Sequence, residues 1–224
     1  MPTADPLQRS IQHTHDDLAG RLERASAGVA TLEEPRKDYE EIDTFLATAS
    51  RHLGAVDAVL LPLAHQELED AHRATHDYLD AARHLEVVLA HVKARAYGSV
   101  YETGFRWDEV WGDVRAALAD HREQELELAR RLGLVLDHAE LDAVAAQLHH
   151  AEPSAPTRPH PYVPHTGFPG LVARKVMHAA DLFWDAVEGR MVPTPARPRR
   201  RDPGLVAQYF LADPRFDPEE QPKG

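Results

Sequence analysis

The chain has 224 residues, a formal charge of −12 and no cysteine. Its length suits one well-buried domain with a helical appendage rather than two full domains. The acidic balance speaks against a nucleic-acid surface, and the lack of cysteine excludes disulfides, thiolate-bound zinc, iron–sulfur clusters and cysteine nucleophiles.

The opening MPTADPLQRS lacks the apolar core of a signal peptide, and no stretch approaches the ~20 apolar residues of a membrane span. A cytoplasmic protein with no membrane partner is expected. The one basic run, Arg197 to Arg201, lies in a proline-rich tail. With 15 histidines and no thiols, any metal site must use imidazole and carboxylate.

Asp5 followed by Pro6 is a helix start, a capping side chain before the residue favoured at the first helical position. Leu7, Ile11, His15, Leu18, Leu22, Ala25 and Val29 then recur at helical spacing, and His15 is the polar interruption of that seam. Glu33, Glu34 and Pro35 break the helix, and Asp38 with Glu41 is an acidic variant of the capping box for the next one. The second helix carries Ile42, Phe45, Ala49, His52, Val56 and Val59 on its seam, with a boundary expected at Pro62.

A third helix is expected from about Ala64 to Tyr97, stopped by Gly98. His65, Leu68, His72, His76 and Leu79 share its first face, whereas Tyr78, Ala82, Leu85, Leu89 and Val92 form a different stripe, so the buried face slides or the helix bends. The fourth helix runs from Trp107 to Leu132 and ends at Gly133. Its seam is Trp107, Trp111, Val114, Leu118, His121, Glu125, Leu128 and Leu132. His121 and Glu125 both face the core there, where an uncompensated imidazole and carboxylate would cost several kcal/mol. A metal would be a suitable partner.

No strand signal stands out, so the expected fold is all-α, an up-down-up-down four-helix bundle over residues 1–133. Asp137 with Glu140 starts a short fifth helix through about His150. Residues 151–170 are rich in proline, and Leu171 to Met191 reads as a sixth helix within an extension spanning 134–192. That helix needs a surface to cover, on the bundle or on a second copy in a homo-oligomer. Residues 193–224 are expected to be a mostly flexible tail.

Counted from the helix ends in an up-down-up-down bundle, His15, His52, His72, His76 and His121 all lie roughly 12 to 18 Å from the same end. A single histidine on an apolar face is commonly an ordinary core residue, but five reaching one layer from four helices favour a shared metal site. His72 and His76, at i and i+4, can bind one ion from one helix face, and Glu125 can reach the same ion or bridge to a second. Asp57 is rotated about 140° from His52, at the edge of the core face, and is either a ligand or a solvated surface acid.

The motifs HDDL at His15, HLGAVDAVLLP from His52 to Pro62, HRATH from His72 to His76 and HREQE from His121 to Glu125 carry a resemblance. Over about residues 5–133 the chain resembles the hemerythrin-like, HHE cation-binding family of four-helix bundles with a non-haem di-iron centre. The resemblance implies that His72, His76 and His121 bind one iron and His15 and His52 the other, under an oxo or hydroxo bridge and two bridging carboxylates; Glu125 is a candidate for one and Asp57 for the other, the alternative being a one-metal or weakened site. The family usually has Glu four residues after the second-helix histidine, where this chain has Val56. Asp57, one residue on, gives a spacing that the oxygen-carrying branch uses on its fourth helix.

That ligand arithmetic leaves one iron with an open position for dioxygen, peroxide or nitric oxide, in binding, sensing or peroxide turnover. No catalytic acid or base stands out beyond the ligands, so enzymatic activity is left open. Two other readings use the same residues: iron storage or sensing, and a metal-free interaction protein with a degenerate site. A ferritin-like site would need ExxH on two helices, and on the core-forming helices only Glu69 with His72 fits.

Overall fold

The computed structural model describes residues 5–28, 39–97, 106–155 and 157. These are all-α: five α-helices and one 3-10 turn, with no strand among the described residues. The helices are α1 (Pro6–Ala27), α2 (Tyr39–Glu67), α3 (Ala71–Ala96), α4 (Trp107–Leu132) and α5 (His138–Ala151), followed by the turn Glu152–Ser154. The expected Asp38 cap, the sixth helix from Leu171 to Met191 and the tail from residue 193 fall outside the described residues.

The helix starts follow local chemistry. Asp5 caps α1 by accepting from the Gln8 backbone N–H at 2.8 Å, satisfying one of the donors that a helix N-terminus leaves free. At α5 the Asp137 and Glu140 side chains accept from each other's backbone N–H at 2.9 and 2.7 Å, the reciprocal capping box expected there. At α4, Glu109 accepts from the Arg106 backbone N–H. Gly133, just past α4, lies where a Cβ would come within 2.8 Å of Asp5 Oδ2, so the end of α4 abuts the cap of α1.

One boundary differs from expectation. Helix α2 continues through Pro62 to Glu67, with the proline on an exposed face, and the break comes at residues 68–70. Proline removes one helical hydrogen bond, but α2 is held by packing along most of its circumference, since α1, α3 and α5 all lie against it. Its buried set therefore runs nearly all round, from Ile42 and Phe45 to Leu61 and Ala64.

The two stripes read on one long helix belong to two helices and their link. His65 is on the last turn of α2, Leu68 is in the link, and the buried face of α3 is Thr75, Tyr78, Ala82, Leu85, Leu89 and Val92. That helix packs on α2 and α4, and α1 packs on α2 and α4 as well. Helix α5 lies against α1 and α2, adding Leu141, Val144, Ala145 and Leu148 to one continuous apolar core. At one edge of that core Tyr97 donates to both oxygens of the buried Asp43 at 2.7 and 2.8 Å, tying the end of α3 to the start of α2. Beside it Trp107 stacks on Trp111, and Arg95 lies over the Trp107 ring.

The α3 face assignment is testable. Leu85→Ala should cost about 2–5 kcal/mol in urea unfolding, the range for a buried leucine replaced by alanine. His76→Ala, on the exposed side, should stay within about 0.5 kcal/mol of the wild type.

Candidate metal centre

Three helices bring the polar seam residues to one point. His15 comes from α1, His52 from α2, and His121 and Glu125 from adjacent turns of α4. Each stands on the buried face of its helix, flanked at helical spacing by Ile11 and Leu18, Val56, Leu118 and Leu128. The four are 1%, 4%, 0% and 0% exposed, so bulk water does not satisfy their polar atoms.

Glu125 Oε2 is the hub. It lies 2.8 Å from His15 Nε2 and 2.8 Å from His52 Nε2, and 3.8 Å from His121 Nδ1. The rings pack around it, with centroid separations of 5.0 Å for His15 and His52, 5.4 Å for His15 and His121, and 5.8 Å for His52 and His121. These contacts leave much of the cluster's hydrogen-bonding capacity unused. His15 Nδ1, both ring nitrogens of His121 and Glu125 Oε1 are buried without a hydrogen-bond partner. Buried polar groups are ordinarily paired, and each orphan costs about 1–3 kcal/mol.

The cluster could hold a metal ion. One ligand atom from each of the four residues lies within 4.8 Å of all the others. Four ligand atoms about 2.1 Å from a common ion in tetrahedral geometry are about 3.4 Å apart, so binding would draw the wider separations in by about 1 Å and open the two 2.8 Å contacts to Glu125. A neutral imidazole and an ionised carboxylate are the states that ligate. Burial pushes His121 down to about 3 and lowers His15 despite its bond to Glu125, so both favour the neutral form. Burial opposes ionisation of Glu125, but the charge on His52 and the hydrogen bonds from His15 and His52 outweigh it and hold the carboxyl below its usual range. For His52, burial is in turn outweighed by Glu125, and its pKa is raised.

His72 and His76 are not brought to this cluster. Both are exposed on the first turns of α3, and His76 instead lies 3.2 Å from Asp77 and 3.6 Å from Asp80 at the surface. The reason is register and phase. Helix α3 starts at Ala71 rather than Ala64, a displacement of about 10 Å along its axis, and His76 points about 160° away from the buried Tyr78. Asp57 is buried, against the alternative of a solvated surface acid, but it is outside the four-residue group.

From α3 it is Tyr78 that approaches, its ring 5.3 Å from that of His121 and only 1% exposed. Burial raises its pKa well above the ordinary phenol value, followed by the fields of Asp57, Glu125 and Glu86 and hydrogen bonding to Asp57. Tyr78 was legible as the polar member of the second α3 stripe. Glu152 was not anticipated; its Oε1 lies 3.9 Å from His52 Nδ1, and its segment carries no periodic signal that would place it there.

The pH dependence has a definite sign. His15 and His121 have folded-state pKa values below the unfolded 6.5, so the unfolded chain binds more protons and stability falls as pH drops below 6.5. For His121 the loss continues to about pH 3. His52 acts in the opposite sense, its contribution being lost as pH rises through its raised folded value. Chelator-stripped protein should therefore lose urea resistance between pH 6.5 and 4.5, by up to about 1.4 kcal/mol per pH unit for each imidazole held neutral. The slope should be shallower in His121→Leu.

Comparison with known proteins yields no relative: no family model, no curated protein and no solved structure matches this chain.

Proposed function

We propose that this chain is a hemerythrin-like protein whose α1 to α4 form an up-down-up-down bundle around a non-haem iron site, and that the site binds dioxygen, nitric oxide or peroxide. The packing of α1 and α3 each on both α2 and α4 supports the bundle. The observation that carries the metal reading is the convergence of one ligand atom from each of His15, His52, His121 and Glu125 within 4.8 Å of one another, in a buried cluster where both nitrogens of His121 and Glu125 Oε1 lack hydrogen-bond partners.

His15, His52, His121 and Glu125 would hold the ion, a donor set that suits iron among the divalent first-row metals. Bound there, iron would supply open coordination positions and redox electrons for a small ligand. These four residues are enough for one ion. The second iron implied by the family resemblance would need further ligands, and His72 and His76 stand on the exposed side of α3. The reading adopted is therefore one iron per chain.

The chain's own residues set the conditions. Val56, one turn after His52 and fully buried, puts an apolar group where the resembled family carries a carboxylate, which removes a ligand and excludes water. His121, neutral at physiological pH, offers a lone pair with no proton to displace. Tyr78 keeps its hydroxyl proton, and its ring packs against His121 at the edge of the site.

Anaerobic loading with ferrous iron followed by desalting should leave about one iron per chain, measured by metal analysis. His121→Ala and Glu125→Ala should lower retention at least tenfold, whereas His72→Ala and His76→Ala should leave it unchanged. Absence of bound metal in the wild type would sink the reading. Two irons per chain, lost in the His72 and His76 variants, would replace the single-ion arrangement with the di-iron one.

A further inference from the structure

Helix α5 and the turn after it lie outside the four helices of the bundle reading, yet they reach the cluster. The turn Glu152–Ser154 packs on α2 and α5, and Glu152 Oε1 stands 3.9 Å from Nδ1 of His52, the ring nitrogen on the side away from Glu125. His15 Nδ1, the corresponding outer nitrogen on α1, has no hydrogen-bond partner. Among the described residues, His52 is thus the cluster histidine with a carboxylate behind it.

We propose that Glu152 is the positioning residue of His52, accepting its Nδ1–H so that Nε2 presents a lone pair to a metal ion. The inference rests on the metal reading above and adds to it a role for the segment after the bundle.

The tautomer supplies the argument. His52 Nε2 faces the cluster through Glu125 Oε2. An ion bound at Nε2 needs the lone pair there, which leaves the ring proton of a neutral imidazole on Nδ1. A carboxylate accepting that proton holds the ring orientation and raises the basicity of the ligating nitrogen. The present 3.9 Å is ion-pair range, and closing to a hydrogen bond takes about 1 Å. The Glu152 side chain, 31% exposed, has room for that movement.

Its backbone, by contrast, is held. Pro153 follows it, the Ser154 hydroxyl donates to the Ala151 carbonyl at 2.9 Å, and Ala155 and Thr157 are 6% and 0% exposed. A contact that strengthens with the metal must, by linkage, also tighten this segment when metal binds.

The test uses the full chain, stripped with chelator and titrated with Zn(II) or Co(II) alone against a competing indicator. Glu152→Ala should weaken binding by about 10–100-fold and shift the Co(II) absorption spectrum at saturation. Glu152→Gln, which keeps an acceptor oxygen, should lie nearer the wild type. The melting temperature of the stripped protein should be the same in all three. Hydrogen exchange at residues 152–157 should slow on adding Zn(II) to the wild type and not to Glu152→Ala. Equal affinities in wild type and Glu152→Ala would overturn the proposal, as would a stability loss in stripped Glu152→Ala with no recovery of affinity in Glu152→Gln. If the wild type binds neither ion, the metal reading fails first and this inference with it.

Discussion

A single carboxylate oxygen, Glu125 Oε2, sits 2.8 Å from imidazoles of two other helices in a fully buried position. A carboxylate there costs several kcal/mol unless its charge is answered locally. The answer comes from His52, whose raised pKa pairs it with Glu125, and from the donor on His15. This constraint joins α1, α2 and α4 at one point, and the apolar residues around it can close only in a register that brings those side chains together. Yet one oxygen serves two donors while Glu125 Oε1 and both nitrogens of His121 go without partners. The network is half satisfied, which is costly in a well-packed core and is what a binding site for a cation would display.

The environment of the cluster follows from how α2 is wrapped. With α1, α3 and α5 against it, even its acidic and polar positions are enclosed, which is why Asp57 is 6% exposed although it lies about 140° around the helix from His52. The wrapping also accounts for the tolerance of Pro62, because tertiary burial rather than helix propensity holds this element. Helix α5 is therefore part of the core and brings Glu152 to the outer side of His52.

Legibility varied by helix for physical reasons. Helices α1, α4 and α5 have clean apolar periodicity, and their buried faces agree with expectation, as do the starts of α1 and α5 and the bounds of α4; α1 ends at Ala27, short of Val29 on the expected seam. His15, His121 and Glu125 were found because each interrupts a clear seam. Helix α3 misled because a proline was read as an end, which joined the close of α2 to the start of α3. That shifted the apparent level of His72 and His76, and their i, i+4 spacing, a sound metal-binding pattern, lies on a face turned to solvent.

By itself the sequence determined that the described residues are helical, which face of α1 and α4 is buried, and that any metal must be held by imidazole and carboxylate. These follow from periodicity and composition, which act within one element. The tertiary structure decided which polar residues meet: His15, His52, His121 and Glu125 together, Tyr78 beside them, His72 and His76 apart. That depends on where α2 ends and on the axial offset and rotation of α3 against α4. Summed packing along the whole interface sets those quantities, and no local motif encodes it. The feature with which Trp107 to Leu132 first stood out, a buried histidine and glutamate one turn apart, belonged to the sequence; its partners belonged to the fold.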